Sequence, residues 1–105
     1  MHTGLDLSSP AGVAITAVQG GRVVTAASLP GYGLVVELDH GGGLTTLYAH
    51  MSGFAVGHGQ EVAKGQPIGF VGSTGYSTGP HLHLEVRVLG NPVDPLPYLA
   101  GAGAS

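Results

Sequence analysis

From residue 81 to residue 88 polar and apolar side chains alternate without a break. His81, His83, Glu85 and Arg87 fall on one side, and Leu82, Leu84, Val86 and Val88 on the other. A period of two is the mark of a strand with one face buried and one face wet. At about 3.3 Å rise per residue, positions i and i+2 project from the same face roughly 7 Å apart. Two imidazoles so placed can reach into one small site. Taken alone, H-x-H is a weak signal, and a surface strand with two incidental histidines reads the same way.

Elsewhere the chain consists of short apolar runs bounded by Gly and Pro. Residues 13–17 (VAITA) and 22–26 (RVVTA) flank the turn Gln19-Gly20-Gly21, and Pro30-Gly31-Tyr32-Gly33 makes the next turn. Residues 34–39 and 44–50 form a hairpin across His40-Gly41-Gly42-Gly43. On its second strand Leu44, Thr46, Tyr48 and His50 share a face, which predicts His50 at the strand end beside an aromatic ring. Residues 56–72 have the rhythm of two short strands turning at Ala63-Lys64-Gly65, with a weak echo of residues 12–26. His40 and His58 sit in turns and are expected to be solvated rather than ligating. Residues 2–8 read as a short strand or loop, because Gly4 and the Ser8-Ser9-Pro10 stop disfavour a helix. Prolines 92, 95 and 97 deny a ladder, so the segment after Gly90 is expected to be a turn and extended exit. No stretch has sustained helical periodicity. The expected fold is a small antiparallel all-β domain.

Composition sharpens that picture at a few points. A chain of 105 residues supports one core and not two. Its 20 Gly and 7 Pro approach the range of disordered chains, but the apolar pattern turns them into punctuation between strands. Arg22, Lys64 and Arg87 are the only Lys or Arg in a chain of net charge −3. Three scattered cations supply neither a nucleic-acid footprint nor a polybasic membrane patch. No run of about 18 apolar residues predicts membrane insertion, and no leader resembles a signal peptide. With no Cys, disulfides, thiolate metal sites and Cys nucleophiles are all excluded. Six His among so few charges is a composition suited to binding metal or moving protons.

The candidates for that chemistry are His2, Asp6, His50, His81 and His83. A catalytic zinc site takes three N or O ligands and leaves a fourth position open. Two His and one carboxylate would satisfy it, and two imidazoles would remain. Peptide hydrolysis also needs a base for the attacking water and a donor for the oxyanion or leaving amine. The carboxylate base of an H-E-x-x-H site is missing, so histidines would have to do that work.

Three motifs in order carry a resemblance: His2-Thr3-Gly4-Leu5-Asp6, Leu47-Tyr48-Ala49-His50, and the run from Ser73 through Gly79-Pro80-His81-Leu82-His83. They are similar to the signatures of the lysostaphin-like (LytM-type) zinc metalloendopeptidases. The framework Tyr32-Gly33, Gly65-Gln66-Pro67-Ile68-Gly69 and Pro92-Val93-Asp94-Pro95 agrees, so the resemblance covers about residues 2–99. It implies the lysostaphin-like fold of duplicated-hybrid-motif type with an open active-site groove. It implies one zinc per chain held by His2, Asp6 and His83, with His50 and His81 as unligated catalytic imidazoles. The implied substrates are bacterial peptidoglycan peptides, in cross-bridge or stem, met by a monomer outside the cell or in its envelope. The peptidase domain would occupy residues 1–99, without the strand that usually precedes the first His, and residues 100–105 would be a flexible tail. Leu34 stands where the family often has Asn. Two other readings compete: a non-catalytic wall-binding or hydrolase-regulating module of the same fold, and a lipoyl-type carrier suggested by the hairpin rhythm around Lys64. The carrier fails on the local context of that lysine.

Overall fold

A computed structural model describes residues 5–73 and 79–95 of the chain. Every regular element in it is a strand: β1 Leu5–Ser8, β2 Ala14–Thr16, β3 Gly21–Leu29, β4 Gly33–Gly41, β5 Leu44–Phe54, β6 Glu61–Val62, β7 Pro67–Val71, β8 His81–Val88 and β9 Asn91–Val93. All pairings are antiparallel. They form one sheet along the path β1-β8-β5-β4-β3-β6, with β7 joined to β5 and β2, and β9 to β8. No helix long and apolar enough to cross a membrane occurs among the described residues.

β5 is the hub. Along one edge it pairs with β4; along the other, residues 44–49 pair with β8 and residues 51–54 with β7. Its middle, residues 46–51, is buried on both faces as well. Val36, Leu38, Thr46, Tyr48 and Met51 turn to the main core with Ile15, Val23, Ile68 and Leu84. Val35, Leu47 and Ala49 turn to a second, smaller cluster with Leu29 and Tyr32. The two segments that echo each other in sequence meet here, β2 against β7 and β3 against β6.

Three expectations are corrected. Residues 91–93 do join the ladder, as β9 on β8, although Pro92 lies in the middle. An edge strand tolerates a proline because only one row of its amides faces a partner. His40 is not a solvated turn residue. It lies within β4, half-buried, with Nδ1 2.8 Å from the Gly20 carbonyl and Nε2 2.8 Å from Thr46 Oγ1. A carbonyl only accepts, so Nδ1 donates there and the ring pins the β2–β3 turn to β5. The polar face of β8 is not uniformly wet either: Glu85 is only 5% exposed. His58 is exposed, as its loop position predicts.

Candidate active site

β8 lies between β1 and β5, and the cross-strand partners on its polar face assemble the site. Asp6 stands opposite His83, and Ser8 opposite His81, on β1; Ala49 stands opposite His83, and Leu47 opposite Glu85, on β5. Directly opposed residues project from the same face. The register alone therefore puts the Asp6 carboxylate beside both imidazoles of H-x-H. Asp6 Oδ1 is 2.7 Å from His83 Nδ1 and 3.4 Å from His81 Nε2.

His50 reaches the same place by a different route. Strict alternation gives it the face of Thr46 and Tyr48, the main core. Instead Met51 takes the core position, three residues after Tyr48. The register of β5 against β4 slips between Leu34–Met51 and Val36–Tyr48, the extra residue of a bulge. His50 carries it with φ 59°, in the left-handed region, and its amide donates to the Tyr32 carbonyl at 2.8 Å. The ring lands on the opposite face from Tyr48, with its centroid 4.9 Å from that of His81 and 6.1 Å from that of His83. The expected position at a strand end is also corrected, because β5 continues to Phe54.

The two histidines of β8 are held differently. His81 Nδ1 donates to the Gly79 carbonyl at 2.9 Å, which leaves Nε2 to face Asp6. His83 lies between two carboxylates, with Nδ1 at Asp6 and Nε2 2.9 Å from Glu85 Oε2. Burial opposes charging of that ring, but the hydrogen bonds to Glu85 and Asp6 outweigh it and its pKa is raised. The hydrogen bond from His83 holds the Asp6 carboxyl below the ordinary carboxylate range, against a smaller effect of burial. Burial likewise works to raise Glu85, yet hydrogen bonds from His83, Arg87 and Tyr32 bring it below its ordinary value.

Of the five candidates, Asp6, His50, His81 and His83 come together; His2 lies outside the described residues. Among the described residues no three His, Asp or Glu side chains are grouped as a metal site. Asp6 and His83 nevertheless fit two ligands of a zinc centre. They offer one carboxylate oxygen and one imidazole nitrogen in contact, and the other nitrogen of that imidazole is engaged by a carboxylate, as is usual for metal-bound His. Glu85, Tyr32 and Arg87 escaped the sequence reading as site residues. Only the placement of the two polar residues that follow His83 on its face could have pointed to Glu85 and Arg87.

Known proteins resemble the chain over most of its length. A family model described as Peptidase family M23 matches residues 1–95. The DD-carboxypeptidase/endopeptidase Mpg of Neisseria meningitidis is 47% identical over 96 residues, 91% of this chain and 22% of that protein. The murein hydrolase activator EnvC of Escherichia coli is 41% identical over 91% of this chain and 23% of its own length. The chain thus spans about a fifth of these relatives. Among solved structures, the catalytic domain of lysostaphin from Staphylococcus simulans superposes with a TM-score of 0.90 at 37% identity, covering 95% of this chain and 80% of that one. A zinc-containing peptidase from Vibrio cholerae gives 0.86 at 36% identity, over 93% and 29%. The lysostaphin-like fold expected from the motifs is the fold found.

Proposed function

The chain belongs to peptidase family M23, and from that premise we propose that it is a zinc endopeptidase hydrolysing peptide bonds of bacterial peptidoglycan. The observation that carries this is the convergence of Asp6, His50, His81 and His83 on one face of the sheet from three strands. His83 and Asp6, joined by His2, are the ligands of one zinc per chain. Zinc held there would lower the pKa of a water to about 7 and would polarise the scissile carbonyl.

The chain's own groups do the rest. His81, with Nδ1–H tied to Gly79, keeps Nε2 as the nitrogen that takes or gives a proton at the reacting centre. His50, buried to 6% exposure and stacked obliquely beside it, is the second imidazole. One of the two receives the proton of the attacking water, and the other donates to the oxyanion or the leaving amine. The domain acts as a monomer in the cell envelope, on cross-bridge or stem peptides.

The similarity to EnvC favours a second reading, a non-catalytic module that binds wall or regulates another hydrolase. Presence of every residue the chemistry requires supports the enzyme. Mass spectrometry of peptidoglycan fragments separates the two. The enzyme releases new peptide termini that disappear with a chelator and return with zinc. Fragments identical with and without protein, at full zinc occupancy, leave the module as the surviving reading.

A further inference from the structure

The buried Glu85 is not needed to hold a metal or to move a proton in the reaction above, yet three side chains, Tyr32, His83 and Arg87, hold its carboxylate. Its Oε1 accepts from Arg87 Nη2 at 2.7 Å and Nε at 3.1 Å, and its Oε2 accepts from the Tyr32 hydroxyl at 3.0 Å and lies 2.9 Å from His83 Nε2. Burying a carboxylate is costly unless every lone pair is engaged. A carboxylate kept only to neutralise Arg87 would turn both oxygens to the guanidinium in a fork-to-fork pair. Here a single oxygen serves Arg87, and the other is turned along β8 to His83. The Tyr32 ring, 6.1 Å from that of His83 in centroid distance, lies against the same imidazole.

We propose that Glu85 is the positioning residue of this site: clamped by Arg87 and Tyr32, it accepts the Nε2 proton of His83 and thereby presents Nδ1, lone pair outward, beside Asp6. An imidazole binds a metal through an unprotonated nitrogen, and the hydrogen bond at the other nitrogen selects which one that is. A wrong tautomer would aim an N–H at the metal position. The inference rests on His83 being a metal ligand, as proposed above, but not on the chain being a peptidase.

The substitution Glu85→Gln tests it, because it keeps the shape and reverses the polarity. Arg87 offers only donors, so the amide oxygen must face Arg87, which turns the NH2 group toward His83. His83 Nε2 then has to accept, and its proton moves to Nδ1. Zinc affinity of the full chain is measured by competition with a chromogenic chelator. The imidazole nitrogens are followed by 15N NMR with and without zinc. The expected result is a 10- to 100-fold weaker zinc affinity in Glu85→Gln, with a native-like backbone spectrum and the His83 proton found at Nδ1 in the zinc-free variant. An affinity within about twofold of wild type, with the same tautomer, overturns the inference. Should the variant not fold, the zinc-loaded wild-type chain decides: a slowly exchanging proton on His83 Nε2 supports the assignment, and an unprotonated or metal-bound Nε2 overturns it. A wild-type chain that takes up no zinc removes the metal reading itself, a separate outcome from a normal wild-type affinity that Glu85→Gln leaves unchanged.

Discussion

His81 and His83 occupy equivalent positions on one strand face, but their ring nitrogens have different partners. His83 offers Nδ1 to Asp6 at 2.7 Å and is braced by Glu85; His81 offers Nε2 at 3.4 Å and is braced by a backbone carbonyl. Truncating a ligand and truncating a proton carrier should therefore have separable effects. His83→Ala is expected to lose zinc and activity together. His81→Ala should hold near wild-type zinc while turnover falls by about 10²- to 10⁴-fold, as read by elemental analysis alongside a peptidase assay. Equal zinc loss in both variants would make His81 a ligand and undo the division of roles. His50 differs from both in its backbone. A left-handed conformation costs a side-chain-bearing residue roughly 1–2 kcal/mol relative to glycine. At φ 59°, His50→Gly should be more stable than His50→Ala by about 1 kcal/mol in urea denaturation, although both lack the imidazole. Equal stability would mean that the bulge carries no strain.

At the scale of elements, β5 is what joins core to site. Tyr48, fully buried, receives the Val18 amide on its hydroxyl at 3.1 Å and lies 3.0 Å from Thr46 Oγ1, which in turn meets His40. Tyr48→Phe would leave the Val18 amide unpartnered, at a cost of about 1–3 kcal/mol. The variant should also change the alkaline limb of stability. Burial pushes the Tyr48 phenol above its ordinary value, with the hydrogen bonds from Thr46 and Val18 opposing. Above pH about 10 the unfolded chain releases this proton while the folded chain retains it. The folded state then binds more protons, so stability falls as pH rises through that range. Tyr48→Phe lacks this component. The stability gap between wild type and variant should therefore narrow as pH rises above about 10 in equilibrium denaturation. A constant gap would contradict the assignment.

For the whole molecule, the proposed centre ties together strands distant in sequence. β1 lies at one end of the sheet path and is bonded to β8 alone among the described strands, so a zinc held by Asp6 and His83 would clamp that edge. At a hundred times its dissociation constant, bound zinc adds about 2.7 kcal/mol of stability, on the order of 10 °C in melting temperature for a domain of this size. Amide exchange at Leu5–Ser8 should slow with it. His83→Ala should show neither effect, and an equal rise in that variant would place the zinc elsewhere. Much of this arrangement was legible in the chain. Alternation from His81 to Val88 determined a strand with H-x-H on one face, and Gly and Pro marked most turns, because both signals are local properties of a pleated backbone. The motif order carried the family and with it the candidate residues. What tertiary structure decided lies wherever a second strand intervenes. Alternation put His50 in the main core, and a bulge set by the pairing of β5 with β4 turned it to the site. Alternation put Glu85 in water, and Tyr32 and Arg87 closed over it. Proline denied β9 its ladder, yet a sheet edge accepted it. Periodicity records which way a side chain leaves its own strand; register, bulges and cover belong to the strands beside it.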